Sequence, residues 1–102
     1  MSNIYVLQLQ EHFAPHTNPY NAPAMSKYMR NLFPYLGIKS PQRNALFRSF
    51  IATNGLPEYS QLAEIVKELW ELPEREFQYI AIDLVGKWVK KLQVEDIRLV
   101  RI

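Results

Sequence analysis

The sequence predicts an all-α fold, and three features of its pattern support this prediction. Apolar residues recur at helical spacing in five segments, and no segment alternates apolar and polar residues as a strand does. Proline, glycine and asparagine separate these segments. Paired helices with short connections favour a stack of α-α repeats over a four-helix bundle.

The first two predicted helices cover residues 3–14 and 22–33, and the Pro- and Asn-rich segment that begins at Pro15 separates them. Their core-facing positions follow from the 3.6-residue period of a helix. These positions are Ile4, Leu7, Leu9 and Phe13 in the first helix, and Met25, Tyr28, Met29, Leu32 and Phe33 in the second.

The third predicted helix begins with an unusual charge. Ser40 is expected to be its N-cap, Pro41 its first residue and Gly55 the residue that ends it. Helix starts usually carry Asp or Glu, because the macrodipole places partial positive charge there. This start carries Lys39 and Arg43 with no acid nearby, which suggests that it binds an anion. The core-facing residues of this helix are Leu46, Phe47, Phe50 and Ile51.

Three more helices are predicted in the second half. The fourth ends at the ELPE segment, and Pro73 starts a long fifth helix with acids in its first turn. The segment VEDIRLVRI (residues 94–102) is expected to begin a sixth helix. Because the apolar residues of that helix have no partner, we expect residues 1–102 to be the N-terminal portion of one truncated helical-repeat domain.

Composition limits the classes of function. The chain has 102 residues, 48% of them hydrophobic, which is enough for one core. It has no cysteine, so disulfides and thiolate metal sites are excluded, and His12 and His16 are too few for a metal cluster. We therefore expect no metal and no other cofactor. Without a long apolar run or a signal-like N-terminus, we expect no membrane segment and a cytoplasmic location.

Charge is distributed unevenly along the chain. Residues 12–57 contain five bases and no acid, whereas residues 58–102 contain nine acids and seven bases. A local basic surface is typical of nucleic-acid binding, although five bases are also compatible with ordinary solvated side chains. The five bases are Lys27, Arg30, Lys39, Arg43 and Arg48.

Two blocks resemble a known family. The segments MSKYMRNLFPYLGIKSPQR (residues 25–43) and ELWELPEREFQYIAIDLV (residues 68–85) are similar to the N-terminal part of the DNA alkylation repair family, the AlkD-type DNA glycosylases. The resemblance extends over about residues 5–100. It implies a HEAT-like α-α superhelix with a concave basic face that binds double-stranded DNA containing alkylated purines. It also implies excision of positively charged N3- or N7-alkylpurines.

The resemblance assigns a DNA-binding role to five residues but no catalytic role. Tyr28 corresponds to an aromatic residue beside the lesion, although it could instead belong to the core. At the start of the third helix, Lys39, Ser40 and Arg43 fit the family's DNA contacts, whereas Asn44 replaces a frequent arginine. The catalytic Asp and the lesion-contacting tryptophans of the family have no counterpart here. We therefore expect this chain alone to bind DNA at most.

Several other residues have structural interpretations. Trp70 and Trp88 lie on apolar stripes and are predicted to be core residues. Asp83 is interpreted as a buried hydrogen-bonding acid, and Arg75 as one member of an ion pair. Arg43 could likewise pair with an acid from the second half.

Three functions remain open from the sequence. The chain is the N-terminal fragment of a DNA glycosylase, a noncatalytic helical-repeat module that binds DNA or protein, or a scaffold that caps a longer solenoid. The sequence also predicts a homodimer, because an interrupted solenoid exposes an apolar face. The residues expected to form that face are Leu84, Trp88, Ile97 and Val100.

Overall fold

The computed structural model describes residues 3–30 and 33–100, with side chains described as far as Lys91. The described part is helical and contains no β-strand, so the predicted all-α class is confirmed. The superhelical stacking of repeats stays a prediction. Within these ranges the five α-helices are α1 (Ile4–Phe13), α2 (Asn21–Tyr28), α3 (Ser40–Asn54), α4 (Tyr59–Glu71) and α5 (Arg75–Val100), and a 3-10 turn spans Ala14–His16.

One hydrophobic core joins α1, α3, α4 and α5. Helix α1 packs against α3 and α4, and α4 packs along α5. Helix α2 has no buried residue, and hydrogen bonds join it to the segment that follows it. The core residues are Val6, Leu9, Phe13, Ile38, Phe47, Phe50, Ile65, Leu69, Phe77, Ile80, Ala81 and Leu84.

The helix ends follow local chemistry. Asn3 caps α1 by accepting a hydrogen bond from the Tyr5 N–H at 2.9 Å. Gly55 ends α3 with φ of 75° and donates its N–H to the Ile51 carbonyl at 2.7 Å, which confirms the predicted end of this helix. The prediction of Ser40 as the N-cap of α3 is wrong, because Lys39 occupies that position with an extended backbone and Ser40 is already helical.

The predicted faces of α1 and α2 need correction. Val6 is buried in α1, whereas Ile4 and Leu7 are 72% and 43% exposed. The segment is apolar on more than one side, and packing against α3 and α4 selects positions 6, 9 and 13. Helix α2 ends at Tyr28 rather than at residue 33, because Arg30 adopts a positive φ of 57° that a helix cannot contain. Leu32 lies outside the described residues.

Helix α5 is continuous from Arg75 to Val100, so the predicted sixth helix at residues 94–102 is wrong. The acids at the start of that segment lie within a helix, and neither glycine nor proline interrupts α5 after Gly86.

The predicted dimer face is also wrong in its described part. Leu84 is fully buried and Trp88 is 7% exposed, while the side chains of Ile97 and Val100 lie outside the described residues. The burial of Trp88 confirms its core assignment. Trp70 is 49% exposed, so its core assignment is wrong. It lines a small apolar groove on the outer surface of α4 and α5, together with Val66, Ala81, Ile82 and Val85.

Candidate nucleic-acid interface

A groove of about 340 Å³ opens between α2, the start of α3 and the first turns of α5. It brings together three of the predicted site residues, Tyr28, Ser40 and Arg43. In the part of the chain that the structure describes, its other walls are apolar or phenolic, and no carboxylate lines it. The remaining lining residues are Ala24, Met25, Met29, Tyr35 and Tyr79.

Arg43 is the cationic group of this groove. Its Cζ lies 4.7 Å from the centroid of the Tyr79 ring, and its Nη1 donates to the Ser40 hydroxyl at 3.5 Å. Its Nε is buried without a hydrogen-bond partner. Arg43 is therefore held by an aromatic face and a hydroxyl, and in the described residues the predicted pairing with an acid from the second half does not occur.

A second arginine lies behind the first. The Arg75 Cζ is 4.2 Å from the Phe33 ring and 5.3 Å from the Tyr79 ring. Arg75 donates to Gln78, and its Nε has no partner. Among the described residues, contacts with aromatic rings and an amide therefore replace the predicted ion pair of Arg75. Two guanidinium groups consequently share one tyrosine.

The arginines alter the acidity of that tyrosine. A hydrogen bond from Arg75 is the main cause that lowers the pKa of Tyr79, against the opposing effect of partial burial, and the positive charge of Arg43 adds to it. Burial, followed by a hydrogen bond with Tyr79, raises the pKa of Tyr35 to about 12. The groove thus has a positive electrostatic character that favours the ionised form of Tyr79.

A buried acid from α5 positions the segment that leads into α3. Glu76 is fully buried and accepts hydrogen bonds from three consecutive backbone N–H groups, those of Leu36, Gly37 and Ile38, at 3.0, 3.0 and 3.1 Å. The adjacent residue, Tyr35, lies in the groove. The carboxylate therefore fixes one wall of the groove and the approach to α3.

Gly37 is required at its position in that segment. Its φ is 93°, and a Cβ there would lie 2.0 Å from the Asn18 carbonyl oxygen. The Asn18 N–H in turn donates to the Leu36 carbonyl at 2.8 Å. This close backbone approach joins the loop before α2 to the loop before α3 and sets the separation of the groove walls.

The structure separates the five predicted site residues. Tyr28 is 87% exposed at the groove, so its alternative assignment to the core is wrong. Lys39 is exposed at the N-cap of α3 and does not line this groove, and Asn44 lines a different groove against α5.

The prediction missed Tyr35, Tyr79 and the aromatic environment of Arg75. A signal for the last was available, because Arg75 and Tyr79 are four residues apart and share one face of a helix. Asp83 is only partly buried and lines the same groove as Asn44, so its assignment as a buried acid is wrong.

Within the described residues, no helix is long and apolar enough to cross a bilayer. In the same part of the chain, no three His, Asp or Glu side chains are placed to hold a metal ion.

The fold and the site together define a helical protein whose helices present cationic and aromatic side chains at one surface groove. The model of the family described as DNA alkylation repair enzyme matches residues 9–101. The chain therefore belongs to the DNA alkylation repair enzyme family, which confirms the resemblance and gives it a role in DNA repair. No curated protein matches the sequence.

Proposed function

We propose that this chain is the DNA-binding N-terminal portion of a glycosylase that excises N3- or N7-alkylpurines, and that the groove around Arg43 binds a backbone phosphate. The observation that carries the proposal is the environment of Arg43. Its guanidinium stands at the start of α3, and among the described residues its buried Nε has no partner and the groove that it faces is lined by no carboxylate.

The start of α3 is suited to an anion. Its first amides carry the positive end of the helix dipole, and Lys39 and Arg43 add two full charges without an acid in the first turn. DNA phosphates are recognised by this combination of backbone N–H groups and basic side chains. Ser40 adds a hydroxyl at the same edge.

The groove is unsuited to catalysis on a cationic base. The alkylated purines that the family resemblance implies carry a positive charge, and Arg43 and Arg75 lie together at this site. The described lining residues offer no carboxylate to stabilise a positively charged sugar or to activate water. The site therefore orients the duplex, and excision requires groups that this groove lacks.

Salt-dependent DNA binding tests the phosphate site. We expect Arg43→Ala to weaken duplex binding about equally for all sequences and to reduce the slope of log K against log salt by about 0.9, the value for one phosphate. Fluorescence anisotropy with a labelled duplex measures this slope. Lys67→Ala is the matched control, because it removes one charge from an exposed position on α4. Unchanged binding in a Lys39→Ala, Arg43→Ala double variant would show that these two residues are only solvated side chains.

Base excision tests whether this chain has a binding role alone. We expect no release of N7-methylguanine or N3-methyladenine from DNA by this chain above the uncatalysed rate. Chromatography of the released bases measures it. Release that depends on the protein and persists in an Arg43→Ala variant would contradict the assignment of a binding role alone.

A further inference from the structure

A second groove lies further along α3 and α5. It has a volume of about 490 Å³ and contains three basic residues and one acid. The basic residues are Arg48 from α3 and Lys87 and Lys90 from α5, and the acid is Asp83. The other lining residues are Asn44, Phe47, Ile82 and Gly86.

The lysines of this groove differ in their surroundings. The Lys87 Nζ lies 5.8 Å from the centroid of the Phe47 ring, which holds its stem across the seam between the two helices. Lys90 is exposed one turn further along α5. Arg48 is also exposed, so the cationic ends of two of the three bases are accessible to a ligand from solvent.

Gly86 leaves the floor of the groove open. A Cβ at this position would meet nothing within 4 Å, and its φ is not in the left-handed region. Neither packing nor backbone conformation therefore requires glycine here, although glycine in the interior of a helix is destabilising relative to alanine. The missing side chain allows a ligand to approach the backbone of α5 between Asp83 and Lys90.

We infer that this groove is a second phosphate-binding site, which holds a DNA backbone phosphate through Arg48 and Lys90 while Lys87 adds charge. The identity of the ligand rests on the proposed function. The groove shares its two helices with the Arg43 site, since Arg43 contacts Tyr79 and Lys87 contacts Phe47. From Tyr79 to Lys90, α5 rises by about 16 Å. This separation is several times the ~3.4 Å spacing of phosphates along one strand, so a single phosphate does not span both grooves and each groove would bind its own phosphate.

Asp83 limits the affinity of this site. Its carboxylate is the one negative charge among the described lining residues and opposes a phosphate by the same interaction through which the three bases attract it. Asp83→Asn keeps the size of the side chain and removes that charge. We therefore expect Asp83→Asn to bind DNA more tightly than the wild-type chain, an effect that loss of structure does not produce.

Two neighbouring lysines provide the decisive comparison. Lys90 lines the groove, whereas the Lys91 Nζ lies 4.6 Å from the ring of Trp88, which itself packs on Tyr59 of α4. Lys90→Gln and Lys91→Gln remove the same charge from adjacent residues of one helix. We expect Lys90→Gln to reduce the salt slope for duplex DNA by about 0.9 and Lys91→Gln to leave it unchanged. Circular dichroism checks that both variants keep the wild-type helix content and melting temperature.

Inorganic pyrophosphate separates this inference from the proposed function. Its binding is followed through the amide resonances of Gly86 and Asn44, with Gly55 as a control position outside the groove. If wild-type chain does not bind DNA but pyrophosphate shifts Gly86, the proposed function fails and the groove remains a site for free phosphate. Equal effects of Lys90→Gln and Lys91→Gln on DNA binding would overturn the inference, as would the absence of shifts at Gly86 with either ligand.

Discussion

The starts of α3 and α5 are two helix N-termini that use charge in opposite ways. The first turn of α5 contains Glu76, which is fully buried. The first turn of α3 contains no acid, and the charged residues at that end are Lys39, the N-cap, and Arg43. Glu76 does more than offset the positive end of its own helix, because its carboxylate accepts hydrogen bonds from three backbone N–H groups of the segment that leads into α3.

This difference separates residues that stabilise the fold from residues that face a ligand. Glu76 has all its nearby donors within the protein and cannot be reached from solvent. Arg43 has an aromatic face and a hydroxyl as partners, and it lies at the wall of an open groove. Substitution of the first residue should therefore affect stability, and substitution of the second should affect binding.

The largest effect is expected at Glu76. Glu76→Ala removes three hydrogen bonds to a buried carboxylate and leaves the amides of Leu36, Gly37 and Ile38 without partners. We expect the free energy of unfolding to fall by roughly 3–5 kcal/mol, measured by urea denaturation. Glu74→Ala is the matched control, because it removes a partly buried carboxylate just before α5, and it should change the free energy of unfolding by less than about 0.5 kcal/mol. Equal losses in the two variants would show that Glu76 acts through the helix dipole rather than through the segment before α3.

A smaller loss is expected at Gly37. Both Gly37 and Gly55 have positive φ, but a Cβ at Gly37 meets the Asn18 carbonyl at 2.0 Å while one at Gly55 meets nothing within 4 Å. We expect Gly55→Ala to lower the free energy of unfolding by about 1–2 kcal/mol through backbone strain alone. Gly37→Ala should lower it by at least about 1 kcal/mol more, since the two loops must also separate. If thermal or urea denaturation finds both variants equally stable, the contact with Asn18 has no energetic role.

The smallest effect is a difference in alkaline stability between two tyrosines. Burial raises the pKa of Tyr5 from 10.0 to about 12, and its hydroxyl donates to the Gly55 carbonyl at 2.9 Å. Between these pH values the unfolded chain loses the proton and the folded chain keeps it, so Tyr5 makes stability fall as pH rises. Tyr79 has the opposite sign, because Arg75 lowers its pKa in the folded state.

We therefore expect Tyr5→Phe to lower the free energy of unfolding by about 1 kcal/mol at neutral pH. Above pH 10 the free energy of unfolding of this variant should fall less steeply with pH than that of the wild-type chain. The free energy of unfolding of Tyr79→Phe should fall more steeply than that of the wild-type chain just below pH 10, where the unfolded chain keeps the Tyr79 proton and the folded chain begins to lose it. Urea denaturation on both sides of pH 10, with phenolate absorbance of the folded chain, measures both slopes. Parallel pH profiles for the two variants would exclude a specific effect of Arg75 on Tyr79.

Much of the fold could be predicted because helical periodicity and breakers are local. The end of α3 at Gly55 depends on residues within a few positions of it. The lack of acids at the start of α3 can be read directly from the sequence. The pairing of Arg43 with Ser40 also lies within one helical turn. These features require no knowledge of what packs against them.

The sequence alone thus determined the helical class, the main breaks between helices and the basic start of α3. The tertiary structure decided which apolar residues are buried, since Trp88 packs on Tyr59 whereas Trp70 faces outward from α4. It also decided the partners of Glu76, which are 38 to 40 residues distant in the chain. The spacing of apolar residues along the chain identifies candidate faces of a helix. Which face is buried, and which distant polar groups form hydrogen bonds, depends on the other helices that pack around it.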